Sequence, residues 1–100
     1  MSTPGFIQIM EFTTSDIDAV LKITDEWLKA TEGRRTARHH IVTRDRNNAG
    51  RYKVIVFFDS YDSAMENSKL PETEQFAQKQ GALLTNMSFH DLDVMVDADI

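Results

Sequence analysis

The chain has no cysteine. That excludes a disulfide framework, a thiolate zinc site and a cysteine nucleophile, and it fits a reducing compartment. No apolar run approaches the roughly 20 residues of a membrane span. The opening Met1-Ser2-Thr3-Pro4-Gly5 lacks the basic region and apolar core of a signal peptide. The expected location is therefore the cytoplasm, with no membrane partner. Histidine is scarce as well, and two of the three, His39 and His40, are adjacent. No His-x-His or His-x-x-x-His spacing exists, so no metal site is expected.

What is present is unevenly charged. The net charge is −5. Yet the 20 residues from Arg34 to Lys53 hold seven basic side chains and one acid, Asp45, leaving that stretch at +6 and the remainder at −11. Three readings fit: an anion site, a strand pair whose positive edges resist edge-to-edge pairing, or a basic hairpin meeting the acidic surface of a second subunit. Nucleic acid is not an expected partner. The whole chain is acidic, and Tyr52 is the one aromatic interleaved with the arginines.

A length of 100 residues suits a single domain spanning 1–100. At this size the hydrophobic core has a thin margin, and self-association commonly supplements it. With 41% apolar and 27% charged residues, the chain should fold rather than remain disordered.

Periodicity gives the elements. "FIQIMEF" alternates Phe6, Gln8, Met10 and Phe12 on one face with Ile7, Ile9 and Glu11 on the other, the pattern of a central strand covered on both sides. Ser15 is the expected N-cap of an amphipathic helix in which Ile17, Val20, Leu21, Thr24 and Leu28 recur at helical spacing, with Gly33 as its stop. "TARHHIVTRD" and "RYKVIVFFD" flank "RNNAG", a hairpin connection. The second of these strands is apolar on both faces and again reads as central. Ser60 caps a short helix that breaks near Lys69-Leu70-Pro71, and Pro71 opens another. "MSFHDLDVMV" closes the chain as a strand, with His90, Leu92, Val94 and Val96 on one face.

The order β-α-β-β-α-β is the ferredoxin-like α+β pattern, with a four-stranded antiparallel sheet. Its helices cover one face, yet the strands are apolar on both. The open face is therefore expected to be buried, most economically against a second copy.

The stretch "VIVFFDSYDSAMENSKLPETEQFAQ" joins a strand ending in aromatics to a capping serine, an interrupted helix and a resumption at phenylalanine. With the first strand, the Trp27-bearing helix and the ending "FHDLDV", it resembles the antibiotic biosynthesis monooxygenase-like group of the dimeric α+β barrel superfamily, from Phe6 to Val96. The resemblance implies a homodimer joined through the open sheet faces. Each subunit would have a pocket between helices and sheet for a small apolar or aromatic ligand. The chemistry it implies is oxygenation of an electron-rich aromatic, polyketide-like substrate, with no metal, flavin or other cofactor. The chain departs from the family pattern where many members carry a tryptophan at the end of strand 3, here Phe57, Phe58 and Asp59. It departs again where many carry a histidine in the second helix, here Ser68. The asparagine, tryptophan and histidine of haem-degrading members are not all reproduced: strand 1 offers Gln8, and Trp27 sits on the wrong helix.

Adjacent strand residues point to opposite faces, so His39 and His40 cannot share one ligand. Ala37, His39, Ile41 and Thr43 form the less charged face, and His39 is therefore the expected enclosed residue and general base, since imidazole titrates near neutrality. Gln8 and His90 are the expected orienting groups. Met10, Trp27, His40, Phe58, Met65 and Tyr52 are the expected substrate-binding residues. Each has an ordinary alternative as a core, rim or hydrogen-bonded side chain. Two function classes stay open: a cofactor-independent monooxygenase, or a non-catalytic ligand-binding or accessory protein using the same pocket.

Overall fold

A computed structural model describes residues 5–100; the residues before Gly5, read above for a leader, lie outside it. The elements run β1 (Phe6–Thr13), α1 (Ile17–Ala30), β2 (His39–Arg44), β3 (Arg51–Phe58), α2 (Tyr61–Ser68), α3 (Pro71–Gly81) and β4 (Thr85–Asp93). The strands form one antiparallel sheet in the order β2-β3-β1-β4. This is the expected ferredoxin-like sheet, with the two doubly apolar strands at its centre.

Local chemistry explains most boundaries. Asp16, not Ser15, caps α1, and its carboxylate accepts the Ala19 amide at 3.1 Å. The helix ends earlier than Gly33 predicts. The Thr31 amide and hydroxyl both donate to the Trp27 carbonyl, at 3.0 and 2.7 Å. Gly33 instead supplies a turn at φ +80°. Ser60 caps α2 by accepting the Ser63 amide at 3.0 Å. Pro71 opens α3 at its first turn, as its missing N–H favours. In the β2–β3 connection only Gly50 takes positive φ, and its carbonyl accepts the Thr14 amide at 3.0 Å.

The register sorts side chains between the two faces. Phe6, Gln8, Met10 and Phe12 pair with Phe58, Val56, Val54 and Tyr52, and this row faces the helices. The buried core is split along it. Phe6 and Phe58 close one end with Ala64 of α2, while Phe12 closes the other with Val20 of α1 and Leu84. Gln8 and Met10 lie between these two clusters, and neither is buried. The opposite face carries Ile7, Ile9, Ile41, Ile55, Phe57 and Leu92 with no helix over it. Ile41 and Leu92 are 41% and 44% exposed. Among the described residues no helix is long and apolar enough to cross a membrane.

Candidate functional site

The gap between the two core clusters is a cavity of about 580 Å³. Its floor is the middle of the sheet: Gln8 and Met10 of β1, Val54 and Val56 of β3, and His40 and Val42 of β2. Its roof is Trp27 of α1 with Thr73 and Phe76 of α3. The Trp27 indole N–H donates to Thr73 Oγ1 at 2.9 Å, and its ring lies 5.4 Å from that of Phe76. These two contacts fix the indole plane. Phe58 and Phe89 border the space, and Phe89, 58% exposed, stands at its mouth. A largely apolar cavity of this size with a few polar groups is the usual form of a small-molecule site.

The expected assignment of the two histidines is reversed. His39 pairs with Phe57 and His40 with Val56, so His40 faces the cavity. His39 touches the cavity's rim, but its ring lies 5.5 Å from the Phe57 ring on the open face, and it is exposed. The charge comparison misled because β2 is an edge strand. Arg38 and Arg44 flank the enclosed row yet reach past it to solvent, and Arg38 clasps Asp59 at 2.8 and 3.0 Å.

His90 is also corrected. It pairs with Ile9 and therefore sits on the open face, opposite Gln8. Its Nε2 is 3.5 Å from a carboxylate oxygen of Glu11. Gln8 does line the cavity, with its amide donating to Asp91 Oδ1 at 3.1 Å. His39, Gln8 and His90 therefore do not form one constellation. Met10, Trp27, His40 and Phe58 all line the cavity. Tyr52 and Met65 do not line the cavity. Tyr52 stacks on Phe12 at 5.8 Å, and Met65 packs on the Phe6 cluster. Sequence reasoning missed Arg35, Thr73 and Phe89. Phe89 is placed by its pairing with Met10, a register that parity within β4 does not supply.

The basic stretch is partly compensated within the chain, with Arg34, Arg38, Arg51 and Lys53 each reaching a carboxylate. Arg34 reaches Glu72 at 2.6 Å, and Lys53 reaches Glu11 at 3.0 Å. The Glu11 carboxylate, half-buried on the open face, also accepts Ser88 Oγ at 3.2 Å and has Arg51 at 3.8 Å. The Lys53 ammonium chiefly holds its pKa below the ordinary 4.5, against the opposing effect of desolvation, with help from Ser88 and His90. A depressed carboxylate gives stability that is present above its unfolded pKa and lost as pH falls through its lower folded value. Glu11→Gln is therefore expected to flatten the acid limb of the stability profile, measured as urea midpoints from neutral pH to below 4.5. An unchanged acid limb would contradict this. Among the described residues no three histidine or carboxylate side chains are grouped to hold a metal.

No protein-family model matches the sequence, and no curated protein matches it. Solved structures do match. SnoaB, a cofactor-independent oxygenase from Streptomyces nogalater, superposes with a TM-score of 0.80 at 14% identity, over 95% of this chain and 97% of that chain. The fold is that of the antibiotic biosynthesis monooxygenase-like proteins. A Caulobacter crescentus protein provisionally named an antibiotic biosynthesis monooxygenase superposes with a TM-score of 0.75 at 14% identity, covering 93% of this chain and 92% of that one. A conserved protein from Methanosarcina mazei reaches 0.77 at 6% identity over 91% and 93%. At these identities the likeness fixes the fold, and residue roles rest on this chain's own geometry.

Proposed function

We propose that the chain is a cofactor-independent monooxygenase acting on a planar, electron-rich aromatic substrate of polyketide type. One observation carries this reading: His40 is the imidazole on the floor of an apolar cavity roofed by an oriented tryptophan. In this reading His40 takes a proton from an activated C–H or phenol of the substrate. The resulting carbanion reduces dioxygen, and an activated methylene becomes a carbonyl with release of water. The protein's work is to orient the ring, exclude water and steady the developing oxyanion. Gln8 orients the substrate from the same floor, while Met10, Trp27 and Phe58 supply apolar wall. The oxygenase likeness of the fold supports the reading.

Oxygen uptake with a panel of anthrones and hydroquinones tests it. The expected result is uptake by the wild type with stoichiometric quinone formation. Uptake at the buffer rate across the panel would sink the catalytic reading.

A second reading, ligand holding without turnover, draws on two features. Asp59, in the place where the resemblance implies a tryptophan, is tied to Arg38, and the Ser68 hydroxyl donates to the Ala64 and Met65 carbonyls. Neither side chain is arranged for chemistry.

In either case the working unit is a homodimer joined through the open sheet faces. The uncovered Ile7, Ile9, Ile41, Ile55 and Phe57 face supports this. Placing a charge at the centre of that face leaves it unpaired on association. Ile55→Asp is therefore expected to give a monomer at micromolar concentration by light scattering, while the wild type gives a dimer. A monomeric wild type would overturn the assembly.

A further inference from the structure

The lining of the apolar cavity is uneven in charge. The chain holds sixteen acidic residues, yet none lines the cavity, whereas Arg35, Arg38 and His40 do. Arg38 spends its charge on Asp59. Arg35 is different. It is half-buried, and no carboxylate lies within 4.0 Å of it among the described residues. One nitrogen, Nη1, donates to the Leu28 carbonyl at 2.7 Å and to Thr31 Oγ1 at 3.4 Å. The guanidinium carbon stands 5.9 Å from the centre of the Trp27 ring. The other nitrogens of the fork meet no protein acceptor among the described residues.

The backbone around Arg35 is pinned on both sides. On one side the Arg34 and Arg35 amides both donate to the Thr31 carbonyl, at 2.9 and 3.0 Å. The Thr36 amide donates to Asn67 Oδ1 of α2 at 3.2 Å. The side chain is thus held in place with donors unspent. A half-buried cation without a counter-charge is costly, and an arriving carboxylate relieves that cost through paired, charge-assisted hydrogen bonds. A single uncompensated guanidinium matches one negative charge, and its planar fork matches a carboxylate.

We propose that Arg35 is the charge anchor of the cavity and that its ligand is a planar aromatic carboxylate. The ring lies against Trp27 and Phe76, and the carboxylate meets the Arg35 fork. This rests on the cavity being the ligand site and narrows the substrate class.

Trp27 is the sole tryptophan and lines the cavity, so its fluorescence reports binding. The test titrates anthraquinone-2-carboxylate and the matching carboxamide under identical conditions. The wild type is expected to bind the carboxylate at least about tenfold more tightly, the value of one charge-assisted bond. Arg35→Gln should abolish the preference while keeping carboxamide affinity, which shows that the cavity is intact. Arg44→Gln, outside the cavity, should leave the preference unchanged. Should Arg35→Gln fail to fold, Arg35→Lys and the salt dependence of the wild type decide. A preference that is retained in part by lysine and weakened by salt for the carboxylate alone supports the anchor; one indifferent to both overturns it. Equal affinities in the wild type, or a preference that survives Arg35→Gln, overturn the anchor and leave the cavity reading standing. Binding of neither probe overturns both.

Discussion

His40→Ala is expected to lower the turnover number for anthrone oxygenation by about 10² to 10⁴, the usual contribution of a positioned general base, while His39→Ala stays within a few-fold of wild type. The contrast follows from one fact of register: His40 pairs with Val56 on the cavity floor, and His39 pairs with Phe57 on the opposite face. The two residues share a backbone, an edge strand and a side-chain type, so each is a control for the other. Local unfolding of β2 would weaken both variants alike. A base role moves only one. Oxygen-consumption rates at saturating substrate make the comparison, with KM determined alongside. A loss confined to turnover marks a group acting in the transition state, whereas a rise in KM alone marks a wall residue. Equal losses in the two variants, or a loss in His39→Ala only, would remove His40 from the mechanism.

The fold was legible because its signals are local and repeated. Alternation in "FIQIMEF" and the doubly apolar "YKVIVFF" place the two central strands, and Ser60 and Pro71 set the starts of α2 and α3. The site was only partly legible. Parity separates His39 from His40 but does not say which face carries helices. Comparing the charge of the two rows answered wrongly, because arginines on an edge strand satisfy themselves at the sheet margin, as Arg38 does with Asp59. The better signal was pairing. Phe6 and Phe12 share a row with Gln8, and the partner of Gln8 on β3, Val56, is also the partner of His40. That inference needs the strand register, which local composition does not encode. Arg35 carries no local signal at all: it is one arginine of an adjacent pair, distinguished from Arg34 only because Glu72 lies within reach of one and not the other.

Phe12→Ala is expected to cost about 3–5 kcal/mol of folding stability, the range for deleting a buried aromatic ring. Phe12 is fully buried, stacks on Tyr52 at 5.8 Å, and holds Val20 and Leu84 at its end of the sheet. Against a total of roughly 5–15 kcal/mol for a domain, this single change removes a large share of the stability. Met10, two residues earlier in the same row, is expected to cost clearly less as Met10→Ala, because its side chain packs on the Phe12 cluster with one side only and borders the cavity with the other. Urea midpoints of the two variants give the difference directly, and comparable losses would mean that the row is uniformly packed and the cavity is not open. The contrast has a functional consequence. Stability resides in the Phe6 and Phe12 clusters at the two ends of the sheet, which leaves the middle unfilled for a ligand. A ligand that occupies it adds stability by mass action, about 2.7 kcal/mol at a hundredfold excess over its dissociation constant. The destabilised Phe12→Ala variant is therefore where a rise in melting temperature should be most visible as candidate aromatic ligands are screened.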